Sequence, residues 1–272
     1  MKFSVVTISF NQSAFLERCI RSVIGQTGVD IEYIICDPGS TDGSREIIER
    51  YRDAFAAVLL EPDKGPADGL NRGFARATGD VFFYLNSDDT IEPGAFQTAA
   101  AEFARDPMLD MLCGHAWVVD ENDRRLRRVW SDPYNRLSQA YSASIQIQPS
   151  TYIRAAMFRK AGGFNIANRS NWDGELFVDM CLAGARTKVI DSFMSNYRVH
   201  SQSITGTGGD REKLDAWRRR CFEKLMGREK TKMDSYLRAF WLLRRQLRNP
   251  PAFFERLLHG PVTGSAVRKG DA

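Results

Sequence analysis

Four short apolar runs, each ending on a polar cluster and each separated from the next by a helical pattern, restrict this chain to very few architectures. The runs are Phe3 to Ser9, Ile31 to Cys36, Ala56 to Leu60 and Val81 to Leu85. Between them lie Phe15, Leu16, Ile20, Val23 and Ile24 at helical spacing, and a helix near Ser44 to Tyr51. A further helix is opened by Gly65-Pro66, with Ala67, Leu70, Phe74 and Ala77 on one side. Strands separated by helices of this length form right-handed βαβ units, which predicts an α/β fold with a mostly parallel sheet covered on both faces.

Beyond residue 107 the pattern is mixed. Met108 to Val119 reads as a strand with Leu126 to Trp130 as its partner, Trp172 to Ala183 as an amphipathic helix, and Thr187 to Ile190 with Ser195 to Val199 as a short strand pair. From Arg211 the signal is helical and basic, first through Leu214, Trp217, Cys221 and Leu225, then through Leu237, Phe240, Trp241 and Leu247, until Pro250-Pro251 breaks it.

The chain has 272 residues with 38 Lys+Arg against 34 Asp+Glu, enough for one large domain or a domain with an appendage. With 43% apolar and 26% charged residues it falls outside the disordered and low-complexity classes. The net charge of +4 is unevenly spread: from Arg211 onward there are 16 basic and 7 acidic residues, and before it 22 basic and 27 acidic. A mildly acidic body carries a basic tail. The five cysteines are widely spaced without a C-x-x-C pair, which argues against a disulfide framework or zinc site and for a reducing compartment. Ser4, Thr7 and Ser9 interrupt the first apolar run, so it reads as a strand and not a signal peptide. No apolar stretch approaches the roughly 18 residues of a membrane span, and the expected address is the cytoplasm.

In an open α/β sheet, ligands bind outside the carboxyl ends of the strands. Three polar clusters fall there: Thr7, Ser9 and Asn11 after the first run, Asp37 and Asp42 after the second, and Asn86-Ser87-Asp88-Asp89 after the fourth. Adjacent carboxylates repel unless a cation binds them, and Mg²⁺ or Mn²⁺ commonly shares its shell with substrate phosphates. Spacing alone leaves a second reading open, in which Asp88 and Asp89 cap a helix entered at Glu92-Pro93. Neither G-x-G-x-x-G after the first strand nor G-x-x-x-x-G-K-[ST] anywhere is present, so a bound diphosphate needs another neutraliser, which favours the metal.

These residues resemble a family. Val5 to Asn11, the turn Asp37-Pro38-Gly39-Ser40-Thr41-Asp42-Gly43-Ser44, the run Asp63 to Gly73, Ala77-Thr78-Gly79-Asp80 and Asn86-Ser87-Asp88-Asp89 are similar to family 2 glycosyltransferases of the GT-A fold. Gln148-Pro149-Ser150-Thr151, Gly162-Gly163-Phe164 and Arg198-Val199-His200 extend the resemblance, in order, over residues 1–205. The resemblance implies a Rossmann-like catalytic domain at 1–205 with a helical extension at 206–272. It implies inverting transfer of a hexose-type sugar from a nucleotide diphosphate sugar, UDP-linked, to a glycan or lipid-linked acceptor in surface polysaccharide synthesis. It places Thr7, Ser9, Asn11, Asp37, Asp68, Asn86, Ser87 and Asp88 at the nucleotide sugar, with Asp37 on the uracil ring. Asn86 stands where the family's D-x-D motif has its first Asp. Asp88, Asp89 and His200 are then the implied ligands of Mn²⁺ or Mg²⁺, His200 having the alternative of a surface strand-end residue. Asp173 is the implied general base, with Glu175 its competitor and helix capping its alternative. A non-catalytic nucleotide-sugar-binding scaffold on the same fold is the second functional reading. A nucleotidyltransferase is a third, disfavoured because Ser9-Phe10-Asn11-Gln12 is not a Gly-rich basic loop.

In the tail, Arg218-Arg219-Arg220, Arg228, Lys230, Lys232, Arg244, Arg245 and Arg248 accompany Trp217, Phe240, Trp241, Phe253 and Phe254. A basic amphipathic helix with aromatics suits an anionic membrane, here the inner face of the plasma membrane. The blander reading packs the apolar faces on the catalytic domain or on a second subunit, as a homodimer through the C-terminal helices. Nucleic acid is not an expected partner.

Overall fold

A computed structural model describes residues 1–168, 171–201 and 211–260. The chain begins with β1 (Lys2–Ile8), α1 (Ser13–Ile24), β2 (Asp30–Cys36), α2 (Ser44–Arg50), β3 (Ala57–Leu59), α3 (Pro66–Arg76) and β4 (Val81–Asn86). It continues through β5 (Thr90–Ile91), α4 (Ala95–Arg105), β6 (Met111–Val119), β7 (Arg125–Val129), α5 (Arg136–Ala140), β8 (Thr151–Arg154), α6 (Ala155–Lys160), α7 (Trp172–Leu182) and β9 (Thr187–Arg198). Three helices follow: α8 (Arg211–Met226), α9 (Lys232–Arg248) and α10 (Pro250–His259). The expected domain boundary between residues 205 and 206 lies outside the described residues.

One sheet in the order β3-β2-β1-β4-β8-β6-β9-β5 organises the body, with β7 paired to β6. The first four strands of that order are mutually parallel, as the βαβ reading requires. Both faces of this half are covered. Phe3, Val5 and Phe83 pack with Leu16, Ile20 and Phe96 on one face, while Val6, Ile34 and Phe82 pack with Leu70, Phe74 and Phe158 on the other. Burial on both sides is why the runs are apolar throughout rather than alternating. At Gly73 the helix α3 comes so close to the sheet that a Cβ would lie 2.5 Å from Val6 Cγ1, so glycine sets the helix–sheet spacing.

The second half differs from the sequence reading in three places. β8 inserts antiparallel between β4 and β6, a strand of four residues with no legible period. Thr187 to Arg198 is one continuous strand, not two. The register of β9 against β6 shifts around Gly114, where a side chain would strike Met194 Sδ at 2.4 Å and Ser192 O at 3.0 Å. Asp191-Ser192, which reads as a turn, is therefore an irregularity passing over a glycine. Finally, α4 begins at Ala95 behind Gly94, so Asp88 and Asp89 do not cap it.

The tail packs on the body. Val178 of α7, Ala140 and Tyr141 of the α5 region, and Cys221, Phe222 and Leu225 of α8 form a third apolar cluster. Arg127 of β7 donates to the Gly260 carbonyl at the end of α10 at 2.7 Å, and the backbone N–H of Arg128 donates to Glu255 at 2.8 Å.

Candidate functional site

At the carboxyl ends of β1, β2 and β4 a cavity of about 760 Å³ opens, within the range of nucleotide-sized ligand sites. Ser9 and Phe10 follow β1 into it, Pro38 follows β2, Asp63 to Pro66 precede α3, and Asn86 to Asp89 follow β4. Trp172 and Tyr197 reach it from α7 and β9. The site is thus assembled by strand ends of both halves of the sheet.

Three buried polar atoms of residues on its wall have no hydrogen-bond partner: Ser9 Oγ, Asp89 Oδ2 and Trp172 Nε1. An unpaired buried carboxylate oxygen is costly unless a ligand or cation completes it. Burial, and then the neighbouring Asp88 charge, push the Asp89 carboxyl well up, while the backbone N–H of Arg198 pulls against them. Asp89 Oδ1 accepts that N–H at 2.9 Å. Arg198 Nε in turn donates to the Asp88 carbonyl at 2.7 Å, and its other nitrogens reach the Asp120 carbonyl and Asp123. Arg198 is fully buried and holds the Asp88-Asp89 turn from beneath. No role for it follows from the sequence; its one signal is its place in the Arg198-Val199-His200 run at the end of a strand of mixed polar and apolar residues.

His200 is buried rather than at the surface, its Nε2 3.1 Å from Asp88 Oδ2 and its ring against Phe15. The structure therefore brings Asp88, Asp89 and His200 to one corner. Among the described residues no three His, Cys, Asp or Glu side chains close around an ion on their own. A carboxylate–imidazole pair beside an unpartnered carboxylate oxygen still fits a hard divalent ion that takes its remaining ligands from a diphosphate.

Of the other expected contacts, Ser9, Asn86, Ser87 and Asp88 line the cavity, while Thr7, Asn11, Asp37 and Asp68 do not. Thr7 shares the face of β1 with Phe3 and Val5, and its hydroxyl lies 3.0 Å from Tyr33 OH in the core. Asn11 ties two loops together, accepting from the Thr41 N–H at 2.9 Å while its own N–H donates to Ser40 Oγ. Asp37 is fully buried, and its carboxylate accepts from Gly39 N, Ser40 N, Ser40 Oγ and Arg45 Nε. Three of these donors meet Oδ1 and only Ser40 Oγ meets Oδ2, so Asp37 shapes the turn that presents Pro38 while Oδ2 holds a single donor. Asp68 accepts from the Lys64 N–H at 2.9 Å and braces the loop before α3. Asp63 and Lys64, which do line the cavity, open the Asp63 to Gly73 run of the resemblance, which assigned neither of them a role.

The two carboxylates at the start of α7 have separate surroundings. Glu175 accepts from Asn165 at 3.0 Å and Asn168 at 2.7 Å, and pairs with Arg220 at 3.2 Å. Burial raises its carboxyl, but these donors outweigh burial and hold it below the ordinary glutamate range. Glu175 fastens α7 to α8. Asp173 is raised by burial, which the backbone N–H of Gly174 only partly opposes. Asp173 itself does not line the cavity, although its helix neighbour Trp172 does, and the charges of Asp173 and Asp89 both help burial push the Tyr84 phenol up. The helix cap position belongs to Asn171, not Asp173.

A model of the Glycosyl transferase family 2 domain matches residues 4–162, more than half of the chain. The chain belongs to this family. The sheet and site described above are accordingly those of a GT-A fold. Pasteurella multocida chondroitin synthase is 32% identical over 108 residues, 39% of this chain and 11% of its own length. This family 2 chain spans between 11% and 40% of the length of the first curated relatives it matches. Staphylococcus aureus TarS (residues 1–349), solved with UDP-GlcNAc, superposes with a TM-score of 0.70 at 19% identity, covering 94% of this chain and 74% of that one. The Pyrobaculum calidifontis mannosyltransferase PcManGT, solved with GDP-Man and Mn²⁺, superposes with a TM-score of 0.64 at 15% identity, covering 98% and 78%.

Proposed function

We propose that this family 2 protein is an inverting, metal-dependent hexosyltransferase. It moves a sugar from a UDP-sugar to a hydroxyl of a glycan or lipid-linked acceptor during surface polysaccharide synthesis, on the cytoplasmic side. The observation that carries the proposal is the cavity corner where the unpartnered Asp89 Oδ2 meets the Asp88–His200 pair, with the raised Asp173 carboxyl nearby. The UDP-GlcNAc of TarS and the GDP-Man and Mn²⁺ of PcManGT support a nucleotide-sugar donor and a divalent ion. Chondroitin synthase supports a polysaccharide setting.

In this reading Ser9, Asn86 and Ser87 meet the nucleotide, and Asp88, Asp89 and His200 hold Mn²⁺ or Mg²⁺ against the diphosphate. The ion supplies charge compensation for the leaving group as the glycosidic bond breaks. Asp173 takes the proton of the acceptor hydroxyl while its oxygen bonds to the anomeric carbon from the side opposite the diphosphate. The diphosphate oxygen departs with the electron pair of the broken bond, and the configuration inverts. A raised carboxyl is a better base than an ordinary aspartate. Glu175, committed to Asn165, Asn168 and Arg220, is not free for that task.

One observation favours a second reading, the non-catalytic nucleotide-sugar binder. The Asn86 amide donates to Gln148 Oε1 at 3.2 Å, so the position of the family's first Asp is occupied by a neutral, already engaged group. Thermal shift with a panel of UDP-sugars, with and without Mn²⁺, followed by transfer assays with the donor that stabilises most, tests both. Stabilisation without turnover favours the binder, and no stabilisation by any donor rejects both.

A further inference from the structure

The last two helices are amphipathic in the reverse sense to a helix that packs on a core. In α9 the polar residues Asp234 and Arg245 point inward, 3% and 11% exposed. Asp234 accepts from Arg228 and Tyr141, and Arg245 pairs with Asp132 at 2.6 Å. The apolar residues Met233, Tyr236, Phe240, Leu243 and Leu247 recur three and four apart and face outward, Leu247 being 71% exposed. The same inversion holds in α10. Glu255 bonds to the Arg128 backbone and Arg256 to Gln246, while Phe254, Leu257 and Leu258 stand exposed. A soluble surface rarely displays so much contiguous apolar area without something to cover it.

The charge around this face selects the cover. Asp234 and Glu255 are the only acidic residues of α9 and α10, and both are already bonded. Lys232, Arg238 and Arg248 are exposed. Two copies meeting across the stripe would bring cations toward cations, whereas an anionic lipid surface complements them. No helix among the described residues is long and apolar enough to cross a membrane. At 17 residues α9 would lie about 25 Å along the interface.

We propose that the outward face of α9 and α10 docks on an anionic lipid bilayer, with Tyr236, Phe240, Phe254 and the leucines at the acyl boundary and Lys232, Arg238 and Arg248 among the headgroups. The face carries no part of the cavity, so docking is independent of the transfer reading. Flotation of the full chain with phosphatidylcholine vesicles, and with the same vesicles carrying phosphatidylglycerol, tests it without donor or acceptor. The protein floats with the anionic vesicles only. Leu243→Gln combined with Leu247→Gln leaves it in the soluble fraction with its melting temperature kept, and each of Lys232→Gln and Arg248→Gln weakens partition about fivefold. A wild-type protein that stays soluble with anionic vesicles overturns the proposal. So does a two-chain mass by light scattering that Phe240→Glu reduces to one, because a second copy then covers the face.

Discussion

The sheet and the C-terminal helices solve opposite problems. In the body, apolar side chains go inward, and Ser9 Oγ, Asp89 Oδ2 and Trp172 Nε1 are left without partners on one cavity wall. In α9 and α10, polar side chains go inward in pairs, and apolar side chains are left over on the outside. The leftover groups of each region are what the two proposals rest on: unpaired oxygens for a cation and a diphosphate, and an uncovered apolar stripe for lipid.

This contrast is open to direct attack. Asp173→Asn gives the largest effect: loss of the base lowers the transfer rate by roughly 10²- to 10⁴-fold while donor binding, read by thermal shift, is retained. In the wild type the rate falls as pH drops through the raised Asp173 value, above the ordinary aspartate range, because the protonated carboxyl cannot accept a proton. Full turnover by Asp173→Asn would remove the catalytic half of the comparison.

Glu175→Gln behaves differently. It loosens α7 from α8 and costs about 1 kcal/mol in denaturant unfolding, because Arg220 is half exposed and water takes over its charge. Inside the tail, Leu225→Ala costs about 2 to 5 kcal/mol because Leu225 is fully buried. On the outward face, Leu243→Ala changes stability by no more than about 0.5 kcal/mol. Equal losses at Leu225 and Leu243 would mean that α9 packs with the opposite face inward.

A separate effect appears in acid. Burial raises the Glu32 carboxyl, but the hydroxyls of Ser4 and Thr78, the Thr78 N–H and the Lys2 ammonium outweigh it and bring the value to about 2 from an ordinary 4.5. The folded state therefore binds this proton less readily than the unfolded chain does. Its stabilisation is present above pH 4.5 and is lost as pH falls toward 2. Glu32→Gln lowers the melting temperature at neutral pH and flattens its decline across that window, which a melting series in pH reads directly.

The parallel half was legible in the sequence because both its faces are buried and its runs are uninterrupted, and the Gly65-Pro66 start of α3 is a local signal. β8 was not, because four residues entering from Pro149 have no period to read. Asp88, Asp89 and His200 were recognisable as a set, and the structure puts them in one corner. Thr7 was misplaced at the cavity although the two-residue period of β1 already puts it with Phe3 and Val5. The roles of Asp37 and Glu175 depend on donors that local spacing only partly reveals, Arg45 in one case and Arg220 in the other. The tail was visibly amphipathic, yet which face turns inward is decided by Asp132 and Tyr141, about a hundred residues upstream.

The insertion of β8 sets an order of events on the ribosome. β4 pairs with β1 on one side as soon as it is made, but its other neighbour is supplied only when Thr151–Arg154 emerge. Through the synthesis of β5 to α5, Val81 and Phe82 stand on an open apolar edge, the kind that recruits stray strands. The nascent chain therefore passes through an interval in which the sheet that floors the cavity has one apolar edge uncovered.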